Sequence, residues 1–171
     1  KNQFIWGANY FHEIVGNPFK APRRKDYQKF IEEHPRGWVI WDKVNGNNDF
    51  SDCELAWTSF DRPTVIVYYM WAGMMQGESI HGTIQKGDKK LNEKKYHPTQ
   101  KPMAINKWVL KNYLSSTAES VFDAGVGSQG SRIAAYEYGC NFYGCENNPQ
   151  IYKIGEKRFF NFLQQLQPKL F

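Results

Sequence analysis

The sequence predicts an α/β fold built around a right-handed βαβ unit, and three observations carry that prediction. Strand and helix signals alternate between residues 120 and 166, the order that closes a parallel pair through a crossover helix. Upstream, Gly37–Lys43 and Thr64–Trp71 hold continuous apolar, β-branched or aromatic runs of the kind that strands buried on both faces show. Between Val121 and Ser131 a strand signal runs into Gly125, Gly127 and Gly130 and then into a helix. The 171 residues fit one domain with one core; no internal repeat is visible, so residues 1–171 are expected to form a single domain.

Each element has its own local reason. Gln3–Ala8 reads as a strand, followed by a loop through Pro18 and Pro22. Asp26–Glu33 reads as a short helix that stops before Pro35. Gly37–Lys43 is the second strand, with Trp38, Val39, Ile40 and Trp41 in a row suited to the interior of a parallel sheet; a short buried helix is the other reading of such a run. Asn45–Asn48 has turn chemistry. Ser51 with Glu54 three residues later forms a capping-box pattern, which predicts a helix over Ser51–Phe60. Thr64–Trp71 is the third strand, and the Gly- and Lys-rich residues 72–96 read as a long surface loop. Ile105, Val109, Leu110 and Tyr113 give Met103–Leu114 a helical period. Ser120–Ala124 follows as a strand, Gly130–Tyr138 as a helix, Phe142–Glu146 as a strand, and Pro149–Leu166 as a long helix with proline at its start.

Composition excludes several classes. With 41% hydrophobic and 16% aromatic residues the chain is too apolar to be disordered. No apolar run approaches the ~18 residues of a helical membrane span, and no charged start precedes an apolar stretch in the manner of a secretory signal. Cys53, Cys140 and Cys145 are odd in number and lack CxxC spacing, which argues against a disulfide framework or zinc site and for reduced thiols in a cytoplasm. No cluster of His, Cys and carboxylates suggests a metal. The net charge of +5 is concentrated: Lys86, Lys89, Lys90, Lys94, Lys95 and Lys101 face only Asp88 and Glu93. Such a segment attracts phosphates, and it is also what a solvated loop looks like.

The stretch Val121-Phe122-Asp123-Ala124-Gly125-Val126-Gly127-Ser128-Gln129-Gly130-Ser131 carries the chemistry. Its glycines permit a tight turn and close approach of backbone to a ligand, and helix N-terminal amides beyond it favour a carboxylate or phosphate. The second strand ends in Gly144-Cys145-Glu146, where an acid can accept two hydrogen bonds from ribose hydroxyls. An adenosine-containing ligand follows, although NAD and S-adenosylmethionine share this logic.

Just upstream stands His97-Pro98-Thr99-Gln100-Lys101-Pro102, leading into a helix and then the Gly-rich turn. In this the chain resembles the amino-group DNA methyltransferases of the circularly permuted β class, and most of all short, phage-type DNA adenine methylases. Stretches similar to theirs are Ile5–Phe11, Trp41-Asp42-Lys43 and Asp52–Trp57, so the resemblance covers essentially the whole chain. It implies a Rossmann-like S-adenosylmethionine-dependent methyltransferase sheet, double-stranded DNA as partner, and methyl transfer to an exocyclic amine, with adenine N6 favoured over cytosine N4. It implies a cytoplasmic setting in a bacterium or a phage-infected cell, with restriction-modification as one context. Carried over by position, Asp123, Gly125, Gly127 and Ser128 would line the methionine end of the cofactor. Thr99 and Lys101 would meet its carboxylate and sulfonium region, Glu146 its ribose, and Asn147 would lie beside the adenine. Residues 72–96 occupy the place of target-recognition segments.

One family feature is absent. The transferring motif, a polar residue followed by Pro-Pro and an aromatic, accepts hydrogen bonds from the target amine and stacks on a flipped base. The sequence holds no Pro-Pro pair. Asn17-Pro18-Phe19 is the nearest imitation and reads as a turn, while Asn147-Asn148-Pro149-Gln150 lacks the aromatic. No catalytic residue is therefore assigned, and the strand bearing the motif is expected ahead of Gln3. Weaker candidates are the loop Asp42–Asp49, which follows a strand, and the titratable His81 and His97. Two rival readings stand beside a working methyltransferase: a non-catalytic module that holds cofactor or DNA, and a nicotinamide-dependent oxidoreductase using the same turn.

Overall fold

Strands β1 (Phe4–Trp6), β2 (Trp38–Asp42), β3 (Cys53–Thr58) and β4 (Val65–Tyr68) form one sheet in the order β1–β3–β2–β4. The structure, a computed structural model, describes residues 1–45, 51–72, 75–77 and 88–166. The chain divides into two compact units, Lys1–Asn92 and Glu93–Phe171, and this sheet organises the first.

Every residue of β2 is buried, as its unbroken apolar run requires. The sheet is mixed rather than parallel: β2 runs parallel to β4, with Ile40 opposite Ile66, but antiparallel to β3, with Ile40 opposite Leu55. The largest correction is at Ser51–Phe60, predicted as a helix and found as β3. Its Cys53 and Leu55 enter a core with Trp38, Ile40, Ala8 and, from helix α2 (Tyr27–Glu33), Tyr27 and Phe30. Glu54 does not turn back to cap Ser51; it reaches across the ladder to Lys43 at 3.0 Å. The supposed cap, Ser51, donates its hydroxyl to the Cys53 carbonyl instead. Burial in this core pushes the Cys53 thiol up to about 12.

The other differences are smaller. The first strand is shorter than Gln3–Ala8 because the chain turns at Gly7, φ +70°, into a 3-10 turn at Ala8–Tyr10, ahead of the one-turn helix α1 (His12–Val15). Thr64–Trp71 splits into β4 and β5 (Met70–Ala72). Residues 72–96 are not all loop: Met75–Gly77 is a strand, β6, antiparallel to β5, and Lys89–Leu91 is a 3-10 turn capped by the Asp88 side chain. His81 and Lys86, and the part of the Asp42–Asp49 loop beyond Asn45, lie outside the described residues.

The second unit follows its prediction closely: α3 (Met103–Tyr113), β7 (Ser120–Asp123), α4 (Gly130–Tyr138), β8 (Asn141–Gly144) and α5 (Pro149–Leu166). β7 and β8 pair in parallel, Ser120 opposite Asn141 through Asp123 opposite Gly144, with α4 as their crossover. Val121 and Phe142 pack on Leu110 of α3 and on Ala134 and Ala135 of α4, which fixes the crossover against one face of the pair. No helix of the described residues is long and apolar enough to cross a membrane.

Candidate functional site

The two parallel strands end side by side, and the turns leaving them are laced together. Past the last ladder pair, Cys145 N–H donates to the Asp123 carbonyl and Val126 N–H to the Cys145 carbonyl, both at 3.0 Å. These bonds carry the strand geometry one step into the Gly-rich turn. Asp123, at the exit of β7, then spans that turn: Oδ1 accepts from Gly125 N–H at 3.0 Å, and Oδ2 from the Ser131 hydroxyl in the first turn of α4. The backbone needs a positive φ twice here, +50° at Gly127 and +66° at Gln129. Gln129 tolerates this strained conformation because it is buried and its amide donates to Glu156 at 2.9 Å.

Glu146, just beyond β8, closes the turn from the other side. Its Oε2 accepts from Gly127 N–H and its Oε1 from Asn148 N–H, each at 3.0 Å. A carboxylate has about four acceptor positions, so both oxygens retain capacity for hydroxyl donors. Asn148 in turn caps α5, its Oδ1 accepting from the amides of Gln150 and Ile151. Above Gly125 the space is open, with nothing within 4 Å of where a Cβ would project. The turn therefore offers an uncovered glycine backbone flanked by two carboxylates, which suits a ligand carrying hydroxyls and a cationic group.

The His97–Pro102 segment is built around its glutamine. Gln100 is buried; its Oε1 accepts from Tyr96 N–H at 2.9 Å, and its Nε2 donates to Glu93 at 2.7 Å and to the Lys94 carbonyl at 3.1 Å. Thr99, exposed, directs its hydroxyl and its amide at His97 Nδ1, 2.9 and 3.3 Å away. Lys101 lies next to the start of α4, its carbonyl 3.7 Å from where a Cβ on Gly130 would lie. The seven residues named from the sequence thus fall in one unit, in two clusters. Asp123, Gly125, Gly127, Ser128 and Glu146 form the laced turn, and Thr99 and Lys101 belong to the segment before α3.

Sequence reading missed the residues that hold these clusters. Arg158, on α5, is buried and donates to the Ser128 carbonyl and hydroxyl and to Glu93. Glu93 was legible only as a counter-charge in a lysine-rich run. Nothing in the local pattern of α5 distinguishes Arg158 from its solvated neighbours Lys153 and Lys157.

Asn17-Pro18-Phe19 leaves α1 through a bend at Gly16 and Asn17; Phe19 N–H donates to the Asn9 carbonyl and its ring packs on Phe30 and Trp38, so it faces the core. Among the described residues no three His, Cys, Asp or Glu side chains gather as metal ligands.

The DNA methylase profile of the N6/N4 methyltransferases matches residues 6–157. No curated protein is similar enough to count as a relative. Among solved structures, the chain is similar to M1.HpyAVI in complex with SAM at 20% identity and a TM-score of 0.48, over 80% of this chain and 70% of that one. It is also similar to TTHA0409 of Thermus thermophilus, complexed with S-adenosyl-L-methionine, at 17% identity and a TM-score of 0.44, over 91% of this chain and 65% of that one.

Proposed function

This chain belongs to the DNA methylase family of N6/N4 methyltransferases, and from that premise we propose that its second unit holds S-adenosylmethionine for transfer to an exocyclic amine of duplex DNA. The observation that carries the reading is Glu146, fixed 3.0 Å from the Gly127 amide at the lip of an uncovered glycine turn. Glu146 would take the ribose hydroxyls, since its two oxygens keep free lone pairs on top of their backbone bonds. Asp123, Gly125, Gly127 and Ser128 would line the methionine end, with Thr99 and Lys101 beside it; a lysine can pair with the amino-acid carboxylate there. When bound, the cofactor supplies an electrophilic methyl on a sulfonium.

Within this reading adenine N6 is the favoured acceptor over cytosine N4, on the likeness to phage-type adenine methylases. The setting is a bacterial or phage-infected cytoplasm, and residues 72–96 contact the target DNA. The sequence contains no Pro-Pro-aromatic motif, so no residue of this chain is given the transfer itself.

Calorimetric titration tests the cofactor. S-adenosylmethionine should bind, Glu146→Gln should weaken it about tenfold by loss of charge-assisted bonds, and NAD should not displace it. Displacement by NAD, or a Glu146→Gln variant of unchanged affinity, overturns the reading. Transfer of labelled methyl into duplex DNA then separates a working enzyme from a module that only binds.

A further inference from the structure

We infer that Arg158 is a positioning residue for the methionine end of the cofactor site, because its one buried guanidinium ties the Gly-rich turn to the His97–Pro102 segment. The inference rests on the cofactor reading above. Arg158 comes from α5, one turn or less from Glu156, which accepts from Gln129 of the same Gly-rich turn. Its Nη1 donates to Ser128 twice, to the carbonyl at 3.1 Å and the hydroxyl at 2.9 Å, and its Nη2 donates to Glu93 at 2.6 Å. Ser128 and Glu93 stand 30 and 65 residues from it in sequence, so no local structure explains the meeting.

Glu93 relays the tie. It accepts from the Gln100 amide and, at 2.7 Å, from Met103 N–H at the start of α3. Gln100 in turn holds Tyr96 N–H, and the Tyr96 ring lies 5.3 Å from the Arg158 guanidinium. The segment from Tyr96 to Met103 is therefore bracketed at both ends by groups that converge on Arg158. A second approach brings the same two regions together beside the guanidinium: a Cβ on Gly130 would lie 3.7 Å from the Lys101 carbonyl and 3.8 Å from Arg158 Nη1. The arrangement also has a chemical consequence at Ser128. Because its hydroxyl oxygen accepts from Arg158, its own proton remains to be donated, and an amino-acid carboxylate is an acceptor.

Only a planar fork reaches Ser128 and Glu93 in this way; a lysine keeps the charge but offers a single point. The test combines hydrogen exchange of the ligand-free protein with binding of S-adenosylmethionine and of 5′-methylthioadenosine, which lacks the amino-acid end. In Arg158→Lys, amides of residues 94–103 and of 124–131 should both exchange faster. S-adenosylmethionine should bind about tenfold more weakly while 5′-methylthioadenosine stays within about twofold. A merely structural arginine would weaken both ligands alike, and that result overturns the inference, as does loosening of only one segment or of neither. Should Arg158→Lys fail to fold, Glu93→Gln gives the same test, because Glu93 accepts from Arg158 Nη2 on one side and from Gln100 and Met103 on the other. Unsubstituted protein that binds neither ligand overturns the cofactor reading and this inference's ligand with it. Cofactor binding with unaltered exchange in the variants overturns the inference alone.

Discussion

Asp42 is wholly buried at the end of β2, and its carboxylate is met by three donors: Arg24 Nε, Arg24 Nη2 and the Val44 amide, each at 2.7 Å. Hydrogen bonding to Asp42 raises the pKa of the Arg24 guanidinium, against the opposing effect of its partial burial. The same carboxylate holds Val44 at φ +48°, an uncomfortable backbone for a β-branched residue, where the chain leaves the strand. Removing the arginine takes two of these three donors from a carboxylate that is itself 0% exposed. Arg24→Ala should therefore cost about 3 kcal/mol of unfolding free energy, at the low end for a broken buried pair because Arg24 itself is 41% exposed. Urea unfolding measures this; a loss below about 1 kcal/mol would mean that the pair behaves as a surface ion pair. Trp41-Asp42-Lys43 stood out in the sequence only as a stretch similar to the family, and the partner of Asp42, 18 residues upstream at the start of the 3-10 turn before α2, could not be read.

At the scale of elements, helix α5 shows how a packing constraint reverses a propensity. Glycine inside a helix ordinarily costs about 1 kcal/mol relative to alanine, so Gly155→Ala would stabilise an exposed helix. Here an added Cβ would lie 2.5 Å from Gln129 Cγ and 2.7 Å from the Gly127 carbonyl, and the latter is backbone that cannot rotate away. Gly155→Ala should destabilise by about 2 kcal/mol and loosen the turn, so that thermal midpoint and S-adenosylmethionine affinity fall together. A raised midpoint would show that the helix can slide. The same logic separates what was legible from what was not. The elements from β7 to α5 were readable because their order, glycines and caps are local signals. β3 was not, because Ser51 and Glu54 fit a helix start locally while Cys53 and Leu55 are drawn into pairing with Asp42 and Ile40 of β2. Propensity lost to a non-local ladder. The candidate site was legible only as motifs, namely the glycine turn, Glu146 and the segment from His97 to Pro102. Arg158 and Glu93 were hidden, since a buried ion pair across 65 residues leaves no trace in either neighbourhood.

Over the whole molecule the charge is unevenly divided. Residues 1–92 hold twelve lysines and arginines against eleven acids, close to balance, whereas residues 93–171 hold ten against six and contain every residue named for the cofactor. The surplus thus belongs to the unit that would hold the methyl donor near a polyanion, and Lys94 and Lys95, both exposed, lie immediately before the His97–Pro102 segment. If these lysines contact phosphates, binding of duplex DNA follows counterion release, and the logarithm of affinity falls linearly with the logarithm of salt concentration. Each phosphate contact contributes about 0.9 to that slope, so Lys94→Gln with Lys95→Gln should flatten it by about 1.8. Affinity at low salt should fall similarly for specific and unrelated duplexes, because phosphate contacts carry no sequence information. Fluorescence anisotropy with one duplex across a salt series, on the unsubstituted and doubly substituted proteins, reads both effects. An unchanged slope would remove these lysines from the interface and leave the segment's charge as ordinary solvation, with DNA approaching by another face.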